Sequence, residues 1–490
     1  MKRWKRYGAA LTAAWLALAP PSARAALPVD WGRVAERDLQ AIHDILATSH
    51  PAMVVQRDAA PFRAWLENGW TEAKKLLPQV KDPISYFDLL TFYAGGFRDS
   101  HIGVNAVPGT PQGGRTFQWP GFSVAWTGTA YAVTDHPADK RLPPAGAQLT
   151  TCDDSPADAL TRDRQGRRGV NIDLEPRRRA AAYWLLWSTE GLFLPPLKAC
   201  VFRLPDGTAR SYPLTYRAAE PIDISAASPT STHARFGVER WGPDGWWIGA
   251  PDMQDEREWR RLLAAVKMHR EALRHARTVV IDLRGNDGGD SGYAETLAKL
   301  LWEPELVDAD RPNLGPVVYR ATQMNRDTMA ANLKTVETAT TLSDEARTLR
   351  ALVKRYDDAI AAGQASFTET AENPAPTHPA HRPINPMRGQ MILLTDGTCT
   401  SACLDLMDLF QAMPNVRQAG AETGADTIFM EMTRTPLPSG YAGLHFGHKA
   451  WVDRPRGSNI SYKPAPALTW TGSPADDAGE RKWLAGAVGP

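Results

Sequence analysis

Two stretches constrain this chain more than any others, because each passes from strand to turn to helix within a dozen residues. Thr278-Val279-Val280-Ile281-Asp282-Leu283 is a near-continuous apolar run of strand length. It breaks into Arg284-Gly285-Asn286-Asp287-Gly288-Gly289, and helical spacing through Tyr293, Leu297 and Leu300 follows. Met391-Ile392-Leu393-Leu394 repeats the pattern, with Thr395-Asp396-Gly397-Thr398 as the turn. Cys399-Thr400-Ser401-Ala402-Cys403 then runs into Leu404, Leu406, Met407 and Phe410. Runs this short and this apolar read as strands buried on both faces, and the units predict an α/β core.

Ser401 falls where the second strand becomes a helix, so its hydroxyl stands beside free N–H groups that favour negative charge. A nucleophile gains from that position, and a plain helix cap is the other use of a serine there. The paired glycines of the first unit let the backbone approach a ligand and aim N–H groups at an oxyanion. No Gly-Lys-Ser/Thr ending follows them, which removes the phosphate-loop alternative.

In order and spacing these segments resemble the S41 peptidases, which include the tail-specific proteases and the tricorn core. The resemblance rests on Val280 to Asn286 with Gly288-Gly289, on Thr400-Ser401-Ala402, and on Gly420-Ala421-Glu422-Thr423. It implies a multidomain α/β protein with a ClpP/crotonase-like catalytic core, a serine nucleophile at Ser401 and no cofactor or metal. It also implies an oxyanion hole formed by the N–H of Ala402 with that of Gly288 or Gly289.

The N-terminus predicts export. Lys2, Arg3, Lys5 and Arg6 precede a short apolar run from Ala9 to Ala19, and Ala23-Arg24-Ala25 supplies a cleavage pattern, giving a signal peptide over 1–25 and a periplasmic or extracellular destination. That run is too short to span a membrane, and no later one is long enough. Lys plus Arg number 56 against 55 Asp plus Glu, so charge points to no nucleic-acid partner. Four cysteines in an oxidising compartment predict a Cys152–Cys200 bridge, and Cys399 and Cys403 could close a second one across Ser401.

Between these landmarks the chain divides. Residues 26–112 read as helical, with apolar spacing over Ala35 to Leu46, Phe62 to Leu77 and Tyr86 to Phe97. Residues 115–218 read as a small β-rich domain. Its turn placement resembles the PDZ-like domain of tail-specific proteases, and a purely structural β-domain fits equally. Residues 219–237 form a linker rich in Ala, Ser, Thr and Pro, and 238–470 the catalytic domain. Within it, 321–385 are an insertion, read as a solvated spacer or a lid. Residues 471–490 are a tail with a short helix near Trp483.

A serine hydroxyl needs a positioned base. Tail-specific proteases use a lysine, but that register counted from Ser401 lands on Asp426, and no lysine occurs from Ala402 to His448. Arg417 and Arg434 do not deprotonate. Only Lys449 or Lys463 could fold in. The resemblance offers His101 instead, in Asp99-Ser100-His101, with Ser100 relaying it to a carboxylate as in tricorn-like enzymes. Asp453 could stand in for the downstream glutamate of those enzymes, though a plain surface carboxylate is the favoured use. These residues predict a serine peptidase acting on peptide or protein substrates. A lapsed, binding-only relative and an esterase remain alternatives, because Leu404 stands where the family often has Glu. Oligomeric state is not legible.

Overall fold

The computed structural model describes residues 29–134, 139, 141–219, 234–339, 344–370 and 375–490. The signal-peptide expectation and most of the linker lie outside them. Three helices open the described chain: α1 (Trp31–Ser49), α2 (Ala60–Leu76) and α3 (Pro83–Gly95). Asp82 and Ser85 cap α3 reciprocally with Pro83 in its first turn, which explains why a helix starts at the Lys81-Asp82-Pro83 loop. Strand β1 (Gly103–Ala106) follows.

The β-rich region holds β2 (Gln118–Trp119), β3 (Val124–Trp126), β4 (Tyr131–Val133), β5 (Gln148–Cys152), β6 (Ser155–Pro156), β7 (Ala199–Arg203), β8 (Ala209–Pro213) and β9 (Arg217–Ala218). Six of these make one antiparallel sheet in the order β3-β4-β5-β7-β8, with β6 beside β5. Cys152 and Cys200 are direct cross-strand partners on β5 and β7 and are disulfide-bonded, as their shared region predicts.

The remaining strands are β10 (Gly237–Trp241), β11 (Gly245–Gly249), β12 (Thr278–Asp282), β13 (Val317–Arg320), β14 (Ser366–Glu369), β15 (Gln390–Thr395), β16 (Val416–Gly420), β17 (Phe429–Pro436) and β18 (Ala442–Trp451). They divide between two sheets. The first runs β10-β11-β12-β15-β16, parallel from β11 onward. Its alternate residues serve two cores. Val279, Ile281, Met391 and Leu393 meet helices on one face, while Val280, Ile392 and Leu394 meet the C-terminal helix Asp477–Val488 on the other. Both faces are covered, so both apolar runs are unbroken. Trp246 and Trp247 divide between the same two cores.

The second sheet runs β1-β18-β13-β14, with β17 paired along β18. Its apolar face shares one core with α1, α2 and α3, so the N-terminal helices are built onto a hairpin more than 300 residues downstream. Two helices are described within 321–385. Helices Gln323–Ala339 and Asp344–Ala361 pack Met329, Val353 and Tyr356 against β13 and β14. No helix among the described residues is long and apolar enough to cross a membrane.

Candidate active site

Ser401 sits at the end of the β15 turn, immediately before the helix Ala402–Gln411, with φ 54° and ψ −126°. Its side chain makes no capping hydrogen bond, so the helix-cap use of this serine is not the one adopted. A non-glycine residue held at positive φ costs free energy, and strain of this kind concentrates at functional turns. Neighbouring contacts hold it there. Cys399 and Cys403 are disulfide-bonded across the serine. The Glu422-Thr423 turn closes over Thr400, where a Cβ on Gly424 would lie 2.4 Å from the Thr400 methyl.

The two motifs interlock. Asp396 accepts the Gly285 N–H at 3.0 Å. Arg284, fully buried, binds Asp282 at 2.7 Å and reaches Asp477 and Glu480 on the C-terminal helix. Asn286 donates to the Ala250 carbonyl and accepts the Gly288 N–H at 3.0 Å. That last bond separates the two glycines. The Gly288 N–H is consumed within its own loop, whereas those of Gly289 and Ala402 have no partner among the described residues. Gly288 serves by being small, since a Cβ there would stand 2.8 Å from the Ser401 Cβ.

His101 reaches Ser401 from the loop between α3 and β1. Its Nε2 lies 3.5 Å from Ser401 Oγ, a long contact of the kind seen in unliganded sites. Behind it, Nδ1 faces Asp99 Oδ1 at 3.6 Å, and Asp99 also accepts the His101 backbone N–H at 2.9 Å. Beyond Asp99 stands His50, its Nε2 3.8 Å from Asp99 Oδ2. All three side chains are buried. Burial alone would lower the His101 pKa, but the Asp99 carboxylate overrides it and raises the base above its usual value. For His50 burial prevails and the pKa falls. Burial would raise Asp99, but the two imidazoles hold it below the usual carboxylate range.

Ser100 is exposed, and the carboxylate facing His101 is Asp99, two residues upstream in the same motif. Asp453 is exposed beside Gly315. Asp426, in the lysine register, is buried and bound to Arg454 and Arg456. Arg454 also pairs with Asp405 and Asp408 on the Ser401 helix, tying that helix to the segment before β17. Burial pushes the Asp426 and Asp408 carboxyls up to about 7 against the pull of Arg454. Lys449 is engaged with Glu431 at 3.2 Å, and Lys463, largely exposed, with Glu422 at 3.5 Å. His50 and the Asp–Arg network were missed in the sequence. His50 stands before Pro51 outside any motif, and carboxylates spread from 405 to 426 have no periodicity that joins them to Arg454.

Ser401 and His101 open into a cleft of about 660 Å³ that also takes in Gly289, Asp405, Glu431 and Lys449. A serine hydroxyl beside an imidazole, with backbone N–H groups left unpaired among the described residues on the adjoining turns, is an arrangement that can perform acyl transfer.

The family model described as Peptidase family S41 matches residues 248–461. No curated protein matches the chain. Among solved structures, mature CPAF superposes with a TM-score of 0.55 at 14% identity, over 93% of this chain and 96% of its own. Mature CPAF complexed with lactacystin gives 0.53 at 15% identity, over 89% and 93%. At such identities the likeness speaks to the fold, which extends across nearly the whole of both chains. The stretch that matches the S41 model, residues 248–461, holds Ser401, the glycine pair and the Glu422-Thr423 turn.

Proposed function

We propose that this protein is an exported serine peptidase in which Ser401 is the nucleophile and His101 its general base. The single observation that carries the reading is the Ser401 Oγ to His101 Nε2 approach of 3.5 Å at the mouth of a cleft. Neutral His101 takes the Ser401 proton as Oγ attacks the peptide carbonyl. The Gly289 and Ala402 N–H groups receive the oxyanion, and one such donor is typically worth about 10²–10³ in turnover. Imidazolium then returns the proton to the leaving amine, and water repeats the sequence on the acyl-enzyme. Asp99 orients the ring and stabilises its charged form. Two disulfides support an oxidising destination, in keeping with the basic and apolar N-terminus.

A serine-directed fluorophosphonate tests the reading. It is expected to add one adduct to the folded protein, mapped to the Ser401 peptide and absent from Ser401→Ala. An adduct that persists in Ser401→Ala moves the nucleophile elsewhere. Folded wild type that takes no label overturns the hydrolase in favour of a binding role.

A further inference from the structure

The cleft beside Ser401 runs along the Ala402–Gln411 helix, where Ser401, Asp405 and Leu409 line it on successive turns. Eight residues of helix rise about 12 Å, room for three to four residues of an extended peptide. Charged groups are unevenly presented to this space. Arg311 is held by Glu295 at 3.0 Å and its side chain is only 13% exposed. The Lys449 side chain is 8% exposed, whereas that of Glu431, its partner, is 53% exposed. Asp405 and Asp408 turn away to Arg454. Two exposed carboxylates remain in the lining, Asp290 beside Gly289 and Glu431 on β17.

Glu431 is placed there by an interruption of its strand. Met430 pairs with Lys449 and Met432 with Gly447, while Glu431 departs from the ladder at φ 53°. One carboxylate oxygen, Oε2, takes both Lys449 Nζ and His448 Nε2. Oε1 has no protein partner among the described residues. A strand that bends a glutamate into the nucleophile's cleft at a conformational cost, and leaves one of its oxygens open, is built to meet a cation.

We propose that Glu431 is a specificity-determining residue that selects peptides carrying a lysine or arginine side chain within four residues of the scissile bond. This rests on the peptidase reading above. A substrate ammonium or guanidinium hydrogen-bonds to Oε1 while Lys449 and His448 hold the carboxylate in place. Asp290, in the same lining, adds to the negative potential.

The test is a set of peptides in which each of four positions on either side of the cleavable bond carries Lys, Arg, Met or Gln in turn. For wild type, kcat/KM at one position is expected to favour Lys or Arg over the neutral residues by about fivefold to tenfold. The readout is that ratio, so a uniform loss of activity does not count for the proposal. Glu431→Gln should bring it close to one, and Lys449→Met, which leaves the carboxylate without its cation, should raise it. Glu431→Lys should invert it toward acidic peptides. If that variant does not fold, the isosteric Glu431→Gln carries the answer. A wild type that takes fluorophosphonate on Ser401 but shows no basic preference overturns the subsite alone, as does a preference that survives in Glu431→Gln. A wild type that neither labels nor cleaves overturns both readings.

Discussion

Ser401 and His101 meet in one cleft but are held by different physics. The serine side is covalent and apolar. Its strand is buried between two cores, its helix packs Leu406, Met407 and Phe410 inward, and a disulfide spans the turn. The histidine side is polar and assembled from afar. His101 lies on a short loop, steadied by Asp99 and His50, and its helices rest on the β17–β18 hairpin. Half of the site is therefore fixed by local chain geometry, and half depends on long-range packing bringing a buried ion pair to the right place. Loss of packing around the hairpin should disable the base while leaving the nucleophile's turn intact.

The largest expected effect is on the base. His101→Ala should lower acylation by about 10⁴- to 10⁶-fold, with the Ser401 turn and the fold preserved. Near-normal turnover in that variant, with loss in Lys449→Ala instead, would replace the histidine with a lysine.

Next comes the carboxylate behind it. Asp99→Asn should cost up to about 10⁴-fold, though less than His101→Ala. Its pH profile adds a sign. The Asp99 charge raises the His101 pKa, so acylation by neutral His101 rises with pH through a value above the ordinary 6.5. Removing the charge should move that limb to lower pH. Ser100→Ala, exposed, should stay within about a few fold of wild type, since surface substitutions perturb little. If Ser100→Ala rather than Asp99→Asn shifts the limb, the relay passes through the serine.

The smallest effects separate the two disulfides. Cys152–Cys200 closes a long loop, with a sequence separation of 48, in the β-rich region. Replacing both residues by serine should cost up to about 4 kcal/mol of stability while leaving turnover at temperatures below melting unchanged. Cys399–Cys403, with a separation of only 4, should cost about 2 kcal/mol but lower turnover by about tenfold, because it holds the strained Ser401 turn. Thermal melts and burst kinetics on the two double variants would distinguish them. Equal losses of turnover would remove the special standing of the serine side.

Three helices, the buried strands β12 and β15, the two motif turns and the C-terminal helix were legible in the sequence because each follows from local periodicity or turn chemistry. Ser401 and Ala402 were legible for the same reason. Within 321–385 the packing of the helices was not, because no local pattern joins them to β13 and β14.

The sequence by itself determined that two buried strands must turn into helices at Gly288-Gly289 and Ser401, since apolar runs and glycine spacing act over a few residues. It also offered His101, through the Asp99-Ser100-His101 motif. Only the tertiary structure decided which neighbours face one another. Asp99 rather than Ser100 faces the imidazole, because the loop after α3 buries one side chain and exposes the next. Gly289 rather than Gly288 keeps an N–H without a partner among the described residues, because Asn286 folds back on its own loop. Glu431 enters the cleft because β17 leaves its ladder there. Hydrogen bonds and burial of this kind depend on which side chains face one another across the fold, and that information is not local in the chain.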